Sequence, residues 1–144
     1  MNQAILLDTN VLSELMRHQP EAKVLAWFQL NAEAGYYTSA ITESEILLGI
    51  SLLPSGKRQT RLADAATKMF SEDFASRCLP FEDQSAKNYA ELVAARTRAG
   101  HPINTEDAQI AAIALTNHLR LATRNIKDFA DIAGLILVNP WEAP

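Results

Sequence analysis

The chain has 144 residues, 48% of them hydrophobic, the size of one domain with a core of its own, so a single unit over 1–144 is expected and no second domain is required. Its formal charge of -4, from 17 acidic and 13 basic residues, excludes a bulk phosphate binder, and any nucleic-acid role must rest on local groups such as Lys57, Arg58 and Arg61, then Arg96 and Arg98, then Arg120, Arg124 and Lys127, each of which otherwise reads as a solvated face. The opening MNQAILLDTN holds a four-residue apolar run that ends in an aspartate and reads as neither a signal peptide nor a membrane span, so a cytoplasmic protein is expected, while the single Cys78 permits no internal disulfide and reads as a small buried hydrophobe.

In chain order, residues 4–7 form an apolar run without alternation, the pattern of a central strand buried on both faces, and Asp8 stands at its end. Asp8, Thr9 and Asn10 offer side-chain oxygens to cap a short helix through Leu12, Leu15 and Met16. Pro20 reads as the first-turn proline of a second helix with Val24, Trp27 and Phe28 on its apolar stripe. Tyr36, Tyr37 and Thr38 predict a second strand that turns at Ser39. Thr42 then caps a helix from Glu43 to about Leu52, with Glu45 in its first turn and Pro54-Ser55-Gly56 as its stop.

A further helix fits 58–71, and Arg77 to Phe81 reads as a short strand whose Pro80 marks an end or an edge. Residues 84–99 are helical up to the stop at Gly100 and Pro102, and Thr105 caps a helix carrying Ile110, Ile113 and Leu115. Strands at 119–123 and 135–138 flank a loop or single turn at 125–129. Five short strands with helices between most of them predict an α/β fold with a mainly parallel sheet covered on both faces, and ligands of such sheets bind beyond the C-terminal ends of the strands. Asp8, the stretch after Tyr37, and Thr123 to Asn125 all fall at such ends.

Three carboxylates stand out. Asp8 follows a buried strand, Glu45 opens a helix, and Asp107 lies just inside another; each alone reads equally as a cap, a first-turn acid worth about 0.3 to 1 kcal/mol to its helix, or a surface residue. Brought to one sheet edge they would repel one another and raise their own pKa values, a difficulty that a divalent cation removes. Oxygen ligands without a His or Cys cluster point to Mg²⁺ or Mn²⁺ rather than zinc. His18, His101 and His118 read as exposed or helix-end residues and not as a general base.

Four stretches, in order, cover nearly the whole chain and together resemble the PIN-domain ribonucleases of the bacterial VapC and FitB toxin group. LLDTNVLSEL resembles the first motif, SAITESEILLGI the second, INTEDAQIAAIAL the third and LATRNIKDF the fourth, with VNPW near the end also similar. The resemblance places Asp8, Glu45 and Asp107 as metal ligands, preferring Glu45 to Glu43 and Asp107 to Glu106, with Thr9, Asn10 and Thr42 in support. It implies a PIN fold, endoribonuclease activity with Mg²⁺ or Mn²⁺, homodimerisation, a cognate VapB- or FitA-like antitoxin that also gives a hetero-oligomer and an indirect association with DNA, and an RNA substrate such as transfer or ribosomal RNA.

One departure stands in the fourth motif, where many PIN domains carry an acid and this chain has Asn125, with Asp128 three residues later. An amide oxygen can position water or coordinate but adds no charge. Asn125 is therefore expected to position an outer-sphere water, Thr123 to hydrogen-bond at the same edge, Arg124 to contact a flanking phosphate, and Asp128 to serve as a compensating acid or merely as a turn residue. The rival readings are a nucleic-acid-binding module with little or no nuclease activity and a nuclease directed at DNA. Trp27, Phe28 and the 58–71 helix read equally as a subunit interface and as the core.

Overall fold

The computed structural model describes residues 4–142. Five strands, β1 (Ile5–Leu7), β2 (Tyr36–Ser39), β3 (Cys78–Leu79), β4 (Arg120–Ala122) and β5 (Leu137–Val138), form one sheet in the order β3-β2-β1-β4-β5, and every pairing is parallel. Six α-helices run between them: α1 (Thr9–Leu15), α2 (Ala22–Leu30), α3 (Ala40–Ser51), α4 (Lys57–Lys68), α5 (Asp83–Arg98) and α6 (Thr105–Thr116). The expected PIN-like architecture, a parallel five-stranded sheet flanked by helices, is the observed one. Among the described residues no helix is long and apolar enough to cross a membrane.

The central strand shows why the apolar run has no alternation. Ile5 and Leu7 point into a cluster with Val11, Val24, Trp27 and Ile46, whereas Leu6 points into a second cluster with Leu92, Ile110, Ile113 and Phe129. Both faces of β1 are thus covered, and Ile5, Leu6 and Leu7 have no exposed surface. Each such side chain contributes about 1.5 to 3 kcal/mol by burial. The register Leu7↔Ala122 brings the ends of β1 and β4 level, so Asp8 and Thr123 emerge side by side at the C-terminal edge.

Three predicted helix starts are corrected. The helix after β2 begins at Ala40, not Glu43, because Ser39 at the strand's end turns its hydroxyl to accept from the Thr42 N–H at 3.1 Å; strand passes to helix with no intervening turn, and Glu45 lies beyond the first turn. Asn104, not Thr105, caps α6 through a 2.8 Å bond from the Asp107 N–H. Pro20 lies ahead of α2 rather than in its first turn, since the Glu14 carboxylate accepts the Glu21 N–H at 2.8 Å and Glu21 becomes the N-cap.

Other expectations shift locally. The helix predicted over 58–71 runs as α4 to Lys68 and then widens into a π-turn at Met69–Asp73. Arg96 is not part of a solvated face: it is 9% exposed, and its guanidinium donates to the carbonyls of His101 and Ala130, tying the end of α5 to the loop before β5. Cys78 is half-buried rather than buried, and burial followed by the Glu43 charge pushes its thiol up to about 11. Trp27 and Phe28 pack against Tyr36 with ring centroids 5.8 and 4.8 Å away, and Trp27 is part of the core.

Candidate active site

Asp8 leaves β1 and immediately caps α1, its Oδ1 accepting from the Thr9 N–H at 2.8 Å. Its second oxygen is held from the neighbouring strand, where the Thr123 hydroxyl donates to Oδ2 at 2.7 Å and the Asn10 amide adds a bond of 3.2 Å. Thr123 is fully buried and in turn accepts the Asn125 N–H at 3.0 Å, so one hydroxyl joins the end of β4 to the carboxylate at the end of β1. Asn10 Oδ1 accepts the Arg124 N–H at 3.3 Å, which fixes the turn that follows β4.

Glu45 reaches the same place from the second turn of α3. The Thr9 hydroxyl donates to its Oε1 at 2.7 Å. With that proton committed, the Thr42 hydroxyl, 3.0 Å from Thr9 Oγ1, is the donor in the next bond of the chain. Glu43, two residues earlier, faces away and receives the Cys78 thiol at 3.8 Å. Asp107 arrives from α6, where its own N–H is capped by Asn104 and its Oδ2 accepts the Asn104 side-chain amide at 2.9 Å.

The three acids line one cleft of about 500 Å³ together with Thr9, Asn10, Arg124 and Asn125. Asp8 is 3% exposed, and burial raises its pKa against the downward pull of its bonds from Thr123 and Thr9; the charge of Glu45 raises it further. Asp107 is raised to about 6, first by burial and then by the charge of Asp8, with smaller contributions from Asp128 and Glu45. Asp128 is close enough to act on Asp107 through its charge but does not line the cleft. Thr42 and Thr123 stand behind the acids rather than in the opening.

Among the described residues no three His, Cys, Asp or Glu side chains stand close enough to close around one ion. Glu45 is tethered to Thr9 and Asp107 to Asn104, contacts that offset part of the like-charge repulsion. The donor chemistry nonetheless fits a hard divalent cation, since carboxylate oxygens are what Mg²⁺ and Mn²⁺ prefer, and two of the carboxyls are raised in pKa, first by burial and further by the charge of a neighbouring acid.

Sequence reasoning did not single out Ser13, Glu14, Arg17 or Trp141, which also line the cleft. Glu14 is 6% exposed although acidic, and it is held by Arg17 at 3.0 Å and by the Glu21 N–H; these bonds, the backbone one foremost, pull its carboxyl below the usual range. The available signal was an acid three residues after Val11, on the apolar stripe of a short helix. Trp141 lies at the cleft's other side, its ring under the Arg124 guanidinium at 5.0 Å, and its backbone N–H donates to Asn139 Oδ1 at 2.9 Å.

A parallel sheet that gathers the buried Asp8 and the partly buried Glu45 and Asp107 beyond its strand ends has the architecture of a PIN-like α/β nuclease. The PIN domain pattern matches residues 5–135, and the chain belongs to that family and, within it, to the VapC/FitB group of type II toxins, a group of metal-using nucleases. It is 48% identical over 139 residues to plasmid stability protein StbB of Pseudomonas syringae pv. tomato, covering 96% of this chain and 99% of the relative. It is 40% identical to toxin FitB of Neisseria gonorrhoeae, covering 95% and 98%, and 38% identical to the VapC ribonuclease Y4jK of Sinorhizobium fredii, covering 96% and 98%. The solved FitAcB complex from Neisseria gonorrhoeae contains a chain that superposes with a TM-score of 0.88 at 38% identity, over 96% of this chain and 99% of that one.

Proposed function

We propose that this chain is an endoribonuclease toxin that cuts RNA phosphodiester bonds with Mg²⁺ or Mn²⁺ held by Asp8, Glu45 and Asp107. The observation that carries the reading is the convergence of these carboxylates in one cleft, from β1, α3 and α6, with Asp8 and Asp107 both raised in pKa. A bound divalent ion supplies a Lewis acid for the phosphoryl oxygens and lowers the pKa of water. The residues do the rest: Thr123 and Asn10 orient Asp8, Thr42 and Thr9 orient Glu45, and Asn104 orients Asp107. Asn125 holds a water by its amide beside Asp8, where it adds no charge, and Arg124, stacked on Trp141, contacts a phosphate beside the one that is cut.

The toxin would act as a homodimer neutralised by a small antitoxin. For the antitoxin partner, support comes from the relatives: solved complexes of the FitA and FitB type include one bound to a DNA fragment, matching this chain with a TM-score of 0.88 at 37% identity. By that analogy, association with DNA runs through the antitoxin. The acids not yet closed around a point, together with the uncharged Asn125, favour a second reading as a binding module of low activity.

One experiment separates these readings. Purified protein is offered matched RNA, single-stranded DNA and a phosphomonoester, with and without Mg²⁺ or Mn²⁺, beside Asp8→Asn. The proposal expects divalent-dependent cleavage of RNA alone, abolished in the variant; identical product patterns from the two proteins would remove the catalytic assignment.

A further inference from the structure

The cleft does not end at Glu45. A second recess of about 720 Å³ opens between α1, α3 and α4 and shares Thr9, Ser13, Arg17 and Glu45 with the acidic cleft. We propose that this groove is the track by which a single RNA strand continues away from the acids, with Arg17, Arg58 and Arg61 taking its phosphates and Met16, Ile50 and Leu62 lying against its bases. The inference rests on the endoribonuclease reading and adds the substrate's path to it.

Three observations carry it. In a chain of net charge -4, the groove is lined by three arginines, and its one acid, Glu45, stands at the end shared with the cleft. Arg58 and Arg61 are exposed, lie on one face of α4 together with Leu62, and among the described residues neither forms an ion pair. Arg17 pairs with Glu14 but keeps 63% of its side chain exposed at the junction of the two recesses. Unpaired guanidinium groups above an aliphatic floor suit a strand with alternating phosphates and apolar base faces. A protein segment rich in acids would satisfy the arginines too, yet its path would run onto Asp8, Glu45 and Asp107. A strand whose scissile phosphate lies among those acids must continue into a neighbouring recess, and the connected one is cationic.

The test measures binding of a fluorescein-labelled single-stranded RNA of mixed sequence by anisotropy, in Ca²⁺, across a salt series. Variants are Arg58→Ala with Arg61→Ala, Gly49→Leu, and a charge-matched control, Lys87→Ala with Arg98→Ala on α5. Gly49 lines the groove, and a Cβ added there meets nothing within 4 Å, so this substitution obstructs the track without disturbing the core. The arginine pair should weaken binding on the order of 10-fold and flatten the slope of log affinity against log salt by about 1.4, two single-strand phosphate contacts. Gly49→Leu should weaken binding with the slope unchanged, and the control should bind as the parent does.

Parent-like binding by the arginine and Gly49 variants, or an equal loss in the control, overturns the track. So does tighter binding of a Glu-rich amphipathic peptide than of RNA through the same arginines. If the parent protein cuts RNA and Asp8→Asn does not while the groove variants behave normally, only the track fails; if the parent neither binds nor cuts RNA, the endoribonuclease reading fails with it.

Discussion

Thr123 is the side chain on which most of the site's geometry converges: buried, donating to Asp8 and accepting from Asn125 and Asn10. Replacing it by valine keeps the shape and removes the hydroxyl, leaving one Asp8 oxygen with a single weaker partner. Thr123→Val should cost about 10- to 100-fold in divalent affinity or cleavage rate, the usual range for a residue that orients a ligand, with the fold's melting behaviour little changed. Asn125→Asp bears on the missing fourth acid. It should tighten Mn²⁺ binding in calorimetry and destabilise the ion-free protein, because a further negative charge joins Asp8 and Asp107; weaker Mn²⁺ binding would place residue 125 outside the ion's reach. At this scale position alone put Asp8 at a strand's C-terminal end, where parallel sheets bind ligands, while it was the family resemblance that chose Glu45 over Glu43 and Asp107 over Glu106, and the fold brings all three to one cleft. Glu14 and Trp141 were not legible, since an acid buried by a backbone N–H and an indole packed under an arginine depend on partners seven and seventeen positions away.

At the level of elements, the starts of α3 and α6 show how local signals compete. Thr42 followed by Glu45 has the spacing of a capping box, and from sequence Thr42 is expected as the cap with Glu45 in the first turn. In the fold Ser39 takes the cap and Glu45 is diverted to Thr9 and the cleft, which is the kind of local rule a functional residue breaks. At α6 Asn104 is the cap, accepting the Asp107 N–H, and its side-chain amide also donates to the Asp107 carboxylate. Ser39→Ala and Asn104→Ala should therefore each destabilise by about 0.5 to 2 kcal/mol in urea unfolding, whereas Thr105→Ala should be near neutral. A larger loss for Thr105→Ala than for Asn104→Ala would contradict the observed caps. The strands themselves were legible to within a residue or two because β-branched and apolar runs between helices leave little choice, while their trimmed ends depend on pairing with neighbours that a linear reading does not see.

For the molecule as a whole, the cluster couples stability to pH and to ions. Asp107, raised to about 6, is protonated in the fold over a range where the unfolded chain is already ionised. The folded state therefore binds more protons, and its stability falls as pH rises from about 4 through 6; Asp8 acts in the same direction. Glu14 acts oppositely: its lowered carboxyl contributes above its unfolded value and the contribution is lost as pH falls through the folded one. The ion-free protein should thus be more stable at pH 5 than at pH 7.5, and Mg²⁺ should raise the melting temperature more at pH 7.5, where the carboxylates are ionised and free to bind it. An equal Mg²⁺ effect at both pH values would detach the ion from these acids. The order of the sheet was not readable beyond its being parallel, because which strand lies beside β1 is decided by helix packing on two faces rather than by any strand's own residues.

The most direct measurement is titration calorimetry of Mn²⁺ into the protein and into Asp8→Asn, Glu45→Gln and Asp107→Asn, each checked for folding by circular dichroism. Binding in the parent that is lost or sharply weakened in all three variants is the predicted result. A variant that folds and binds Mn²⁺ as the parent does would show that its carboxyl is not part of the ion's shell.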